Sequence, residues 1–199
     1  MLPSPRFAAV AKWSSVPAAL VLSSALVWHA SYSAFSATTD NPASNWSAGS
    51  VALSDDDSNT ALFSATNLKP GSTGTKCIAV SSTGSLPASV KLYGTSPATT
   101  LALSSYLDLV VDEGTGGTFA GSGPTSCTGF TSASNAYTGT LAAFGTGKTN
   151  FASGVGTWAP AAGAQTRTYR FTYTVNGSVP NSAQGGTAAI GFTWEAQNS

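Results

Sequence analysis

Short runs of strict alternation, cut by turn residues, limit this chain to strands. Phe171, Tyr173 and Val175 alternate with Arg170, Thr172, Thr174 and Asn176, and Asn176-Gly177 closes the run. Ile190, Phe192 and Trp194 alternate in the same way with Gly191, Thr193 and Glu195, and Leu107, Leu109 and Val111 with Asp108 and Asp112. A period of two places every second side chain on one face, the pattern of a half-buried strand. Shorter strand candidates are Val51 to Leu53, Ala61 to Ser64, Lys76 to Val80 and Val90 to Tyr93. Seven or eight short strands punctuated by Gly, Pro, Asn and Ser predict an all-β chain, a β-sandwich or jelly roll.

Two segments do not fit that rhythm. Gly114 to Gly129 (GTGGTFAGSGPTSCTG) has no periodicity and reads as a long surface loop, pinned near its end by Cys127. Tyr137 to Phe144 (YTGTLAAF) is a short apolar run that suits a helix or a strand.

The first 33 residues read as an export signal. Arg6 and Lys12 supply a positive start, and Val16 to Val27 is an apolar run of twelve. That is short of the ~20 apolar residues a spanning helix needs. Ser31 and Ser33 are small residues at −3 and −1 of a cut before Ala34. An uncleaved N-terminal anchor is the alternative. The expected arrangement is a signal peptide over 1–33 and one secreted or cell-surface domain over 34–199, which touches the membrane only before cleavage. A domain of 166 residues is large enough for one real core.

Removing Arg6 and Lys12 leaves six Lys/Arg against eight Asp/Glu, a net charge of −2. With no basic stripe, nucleic acid is not expected as a partner. Cys77 and Cys127 meet an oxidising environment after export, so a bridge closing a loop of about fifty residues is expected. Two buried free thiols are the alternative. No CxxC spacing suggests a metal or redox pair.

The single histidine, His29, lies within the signal. The exported part therefore lacks the base of a Ser-His-Asp or Cys-His site and the ligands of an HExxH zinc site. Paired carboxylates remain, drawn from Asp55, Asp56, Asp57, Asp108, Asp112, Glu113 and Glu195, but no spacing sets two across a cleft. The expectation is a protein that is not an enzyme and takes no cofactor. In the run Asp55-Asp56-Asp57-Ser58-Asn59, Asp55, Asp57 and Asn59 are weak calcium candidates through hard oxygen ligands. The run lacks the glycine and distal glutamate of an EF-hand loop, and a solvated turn capping local backbone groups is the favoured reading. Trp158, in the loop-like GTWAP, has the shape to offer a flat face to a sugar, whereas Trp46 and Trp194 read as packing residues. The Asn45 and Asn176 sequons matter only in a host that glycosylates exported proteins.

The junction itself carries a resemblance. A small-residue cut is followed by Ala34-Phe35, then by Ser47-Ala48-Gly49-Ser50-Val51-Ala52-Leu53. Asn67-Leu68-Lys69-Pro70-Gly71, Gly84-Ser85-Leu86 and the closing stretch Tyr169 to Gln197 continue it. On these residues the chain resembles the TasA/camelysin family of secreted bacterial proteins, processed by a SipW-type signal peptidase, with the closing stretch most like actinobacterial members. The junction and NLKPG are its most specific motifs. The resemblance implies a jelly-roll subunit of extracellular biofilm-matrix fibres. Its partners would be other copies of itself or related fibre subunits, and its assembly would proceed by donor-strand exchange. By position the donor is Ala34, Phe35, Ser36, Ala37, Thr38 and Thr39, with Phe35 and Ala37 facing inward. The metallopeptidase activity described for camelysin does not carry over, for want of a histidine. The two cysteines and a shorter middle region are departures from TasA.

Two rival functions make different structural demands. A monomeric binding module for glycans or a surface partner requires Trp158 exposed beside a groove and an N-terminus paired within its own sheet. A secreted hydrolase requires two carboxylates ~5–10 Å apart across a cleft.

Overall fold

The computed structural model describes residues 36–39, 50–58, 60–65, 67–120 and 126–198. Met1–Phe35 falls outside them, and with it the signal segment, the cleavage residues Ser31, Ser33 and Ala34, and Phe35. Asn45, Trp46 and Asn59 lie outside as well. Ser36–Ser199 forms one compact unit.

Among the described residues eight strands build it: β1 (Ser36–Thr39), β2 (Leu53–Asp55), β3 (Thr73–Ser82), β4 (Ala88–Thr99), β5 (Leu107–Thr115), β6 (Thr131–Thr140), β7 (Gln165–Val175) and β8 (Ala188–Asn198). One short helix, α1 (Leu141–Gly147), follows β6. The strands form two antiparallel sheets, ordered β1-β8-β4 and β2-β3-β7-β5-β6. The free flank of β4 is completed by residues 155–160. Leu92 and Val155 exchange backbone bonds of 2.8 Å, and Trp158 and Pro160 accept from Val90 and Ala88. One layer is then β1-β8-β4-(155–160), facing β3-β7-β5-β6 with β2 added outside β3. The chain changes layer after β1, β3, β4, β6, the 155–160 segment and β7, while β2 and β3, and β5 and β6, are each neighbours within one layer. That winding is a jelly roll, one of the two all-β arrangements that alternation predicts and the one the resemblance implies.

The alternating positions explain why these residues pack as two layers. Ile78 and Val80 of β3, Leu109 and Val111 of β5, and Tyr169 and Phe171 of β7 all point inward. They meet Val90 and Leu92 of β4 and Trp194 and Ala196 of β8. Tyr169 lies against Trp194 with ring centroids 5.4 Å apart, and Phe171 against Phe192 at 4.6 Å. Each fully buried large side chain is worth ~1.5–3 kcal/mol of apolar burial, and here the two sheets supply it to each other.

Three local expectations change. Ala61 to Ser64 is not a strand, because Leu62 and Phe63 are adjacent and both turn toward the core instead of alternating. Phe63 stands edge-on to Tyr173 at 5.0 Å. The strand expected at Val51 to Leu53 begins only at Leu53. Tyr137 to Phe144 is both of its alternatives in turn: β6 runs to Thr140, whose hydroxyl then accepts from the Ala143 N–H (3.2 Å) and starts α1. The Gly-rich loop is shorter than expected, since β5 extends to Thr115. Cys77 and Cys127 are bridged, which settles the choice against free thiols.

Candidate functional site

The edge that β1 only partly covers is the most unusual feature of the sandwich. β1 pairs antiparallel with β8 over four residues, Ser36↔Gln197 to Thr39↔Trp194. Upstream, residues 188–193 of β8 have β4 on one side and, among the described residues, no strand on the other. A strand edge without a partner presents a row of backbone donors and acceptors that another strand can take.

Beneath this open edge the two layers stand apart over a cleft of about 580 Å³. Ile190, Phe192 and Trp194 line it from β8, and Ile78, Leu109 and Tyr173 from the opposite layer. Leu62, Phe63 and Leu68, from the stretch between β2 and β3, close part of its side. Register fixes which end is which. Asp55 lies opposite Val80, and Val80 opposite Arg167, near the start of β7. Leu107 lies opposite Val175, at the end of β7. Ala188 packs with Leu107 and Val175, whereas Trp194 packs with Tyr169. The cleft therefore runs along β8 from a carboxylate end, Asp55 and Asp57 beside Trp194, to an apolar end at Ala188. Six residues of extended chain span about 20 Å of it.

The acidic run divides its work. Asp56 turns away from the cleft: its Oδ1 accepts the Ala79 N–H (2.8 Å) and its Oδ2 the Phe119 N–H (2.7 Å). It thereby caps the exposed edge of β3 below β2 and ties the loop after β5 to it. Asp55 and Asp57 line the cleft and hydrogen-bond to each other. Burial, then the charge and hydrogen bond of Asp57, push the Asp55 carboxyl up to about 6. Among the described residues no group of three His, Cys, Asp or Glu side chains is placed to hold a metal ion. Asn59 lies outside those residues, and the rest of the run is a capping turn plus a carboxylate pair.

The other carboxylates are held elsewhere. Asp112 pairs with Arg170 at 2.7 Å, and Asp108 accepts from Asn176 at 3.0 Å. Glu113 is buried and accepts from the Thr157 N–H (2.9 Å), the Thr157 hydroxyl (2.8 Å) and the Ser134 hydroxyl (3.2 Å). Gly156 must approach it closely: a Cβ there would press on Glu113 Oε1, and its φ of 105° suits glycine. Asp55 and Asp57 share one turn and so stand on the same wall of the cleft, unlike the facing pair a glycosidase uses.

Trp158 departs from its expected exposure. It is 4% exposed, packed in the core, with its carbonyl accepting from Val90, so it offers no flat face to a sugar. The edge segment that buries it lacks alternation, which is why GTWAP reads as a loop in sequence. The cleft was not legible either. Ile190-Phe192-Trp194 marks an inward face, but period-2 spacing does not tell whether a partner strand lies beside it. No family model matches this chain, and no curated protein matches it.

Proposed function

We propose that this protein is a secreted structural subunit of extracellular, biofilm-matrix fibres, in the manner of the TasA/camelysin family, joined to its neighbours by exchange of the N-terminal strand. The observation that carries the reading is β1 itself: four residues at an outer edge, antiparallel to β8, ahead of every other described strand. A strand held by a short ladder at a sheet edge can be supplied by its own chain or by a neighbour's through the same main-chain bonds. Passing it from molecule to molecule is a head-to-tail contact, and such contacts build open filaments when the rotation does not close. The apolar cleft beside β8 gives an incoming strand more to bury than the four-residue ladder of β1 covers.

The test is electron microscopy of purified Ala34–Ser199 beside a form starting at Asp40. Fibres from the first and none from the second are expected. A monomeric binding module is the second reading, favoured by β1 lying in its own sheet, although the burial of Trp158 removes its glycan face. Monomers from both forms would decide for it.

A further inference from the structure

The turn that ends β7 carries the one Asn-Gly pair of the chain, Asn176-Gly177, and the contacts around it favour a reaction. We infer that Asn176 is a self-modification site: its side-chain amide is lost to attack by the Gly177 backbone nitrogen, and a second carboxylate appears beside Asp108.

Three observations carry this. The first is a polarised carbonyl. Asn176 Oδ1 accepts from the Ser178 N–H at 2.9 Å and from the Ser178 hydroxyl at 2.7 Å. Both donors stand where negative charge gathers when a nucleophile adds to Cγ, as in an oxyanion hole. The second is a free nucleophile. Among the described residues the Gly177 N–H has no acceptor, and Gly177 is exposed with open space where a Cβ would stand. The bond from the Ser178 N–H makes an Asx turn, which curls the Asn176 side chain back over the Gly177 peptide. The third is a held leaving group: Asn176 Nδ2 donates to Asp108 Oδ2 of β5 at 3.0 Å. Asn135 and Asn150 also have bonded side chains, but Ala136 and Phe151 follow them and shield the nitrogen that would attack.

The step balances with water alone. The Gly177 nitrogen bonds to Asn176 Cγ, the Cγ–Nδ2 bond breaks, and the proton lost by Gly177 departs with Nδ2 as ammonia. Water then opens the cyclic imide at either carbonyl, which gives aspartate or its β-linked isomer. Both products put carboxylate oxygen where a donor faced Asp108, so attraction becomes like-charge repulsion. The place matters to the fold. The Asn176 N–H donates to the Tyr106 carbonyl at 2.8 Å, and the neighbouring Val175 is buried with Leu103 and Leu107. The β-linked isomer also adds a methylene to the main chain there. Modification therefore loosens this end of the β5–β7 pair, while the larger core around Phe171 and Trp194 keeps its contacts.

The experiment is peptide mapping by mass spectrometry of chain 34–199 held at neutral pH, beside the free peptide TVNGSV, residues 174–179. Asn176 is expected to convert in the folded chain at least as fast as in the peptide, with Asn135 and Asn150 intact. Ser178→Ala should slow the folded chain about 10-fold, the worth of one hydrogen bond to a developing charge, and leave the peptide rate unchanged. Ser178→Thr keeps the hydroxyl and should keep the rate. Slower conversion in the fold than in the peptide, or a Ser178→Ala chain as fast as the unaltered one, overturns the inference. The consequence is read separately: Asn176→Asp should lower Tm, and adding Asp108→Asn should recover most of the loss. A Tm that Asn176→Asp leaves unmoved overturns the loosening.

Discussion

Asp55, Asp56 and Asp57 show how three identical neighbours acquire different work from their surroundings. Asp56 meets two unpaired backbone N–H groups and becomes a structural cap. Asp55 meets apolar walls and a second carboxylate, so its folded form holds its proton up to about pH 6 against an ordinary value of 3.8. The sign follows from linkage: the folded state binds this proton more tightly than the unfolded chain does. Its contribution to stability is full below about pH 4 and is lost as pH rises through about 6. Asp55→Asn has no proton to lose. Thermal melts from pH 4 to 7 should show the variant gaining Tm relative to the unaltered protein as pH rises, with most of the change between 4 and 6. The side chain remains partly solvated, so the effect is small and screened by salt. A difference that stays flat across this range would mean that Asp55 does not titrate there. The run of acidic letters announced a turn in the sequence. Which carboxylate caps and which faces the cleft depends on β3 and on the loop after β5, which are remote in the chain and unreadable from the run alone.

Among the elements, strands carrying strict alternation were legible and those without it were not. β5 follows its period nearly residue by residue, because one face is core, whereas β7 buries Thr168 beside Tyr169 and β8 buries Thr193 to Ala196 in succession. The 155–160 segment pairs with β4 through only part of its length and carries Pro, Gly and Trp at irregular positions, so sequence spacing is silent about it. The Gly-rich stretch after β5 was legible as a loop with a cysteine pin, and its packing explains why a pin is useful. Cys77 is fully buried on β3, its N–H donates to the Ser126 hydroxyl, and Lys76 lies over the Phe119 ring at 4.2 Å. The bridge thus fastens a loop with little apolar content of its own to the edge of a strand. On the chain-entropy model a closed loop of about fifty residues is worth ~4 kcal/mol. Cys77→Ser with Cys127→Ser should lower the urea-unfolding free energy by about 2–4 kcal/mol. It should also bring the first protease cuts into 116–130. Unchanged stability and unchanged cuts would mean that the loop is held by Asp56, Ser126 and Phe119 without the bridge.

At the scale of the whole molecule, the first described strand of the jelly roll pairs with four positions of an eleven-residue neighbour, and strand exchange has to break that ladder. Cross-linking tests whether it does. Residues directly opposite in an antiparallel pair have Cα atoms ~4.5–5.5 Å apart, within the span of a disulfide. Thr38→Cys with Glu195→Cys matches the pairing seen within one chain. Oxidised as a monomer, this variant should lock β1 in place and form no fibres, and mild reduction should restore them. Fibres of the reduced variant, oxidised after assembly, should run as a covalent ladder on a denaturing gel, because an exchanged strand carries position 38 to position 195 of its neighbour. Fibres that grow undisturbed from the locked monomer would remove the N-terminal strand from assembly altogether, since a strand that cannot leave its own sheet cannot complete another.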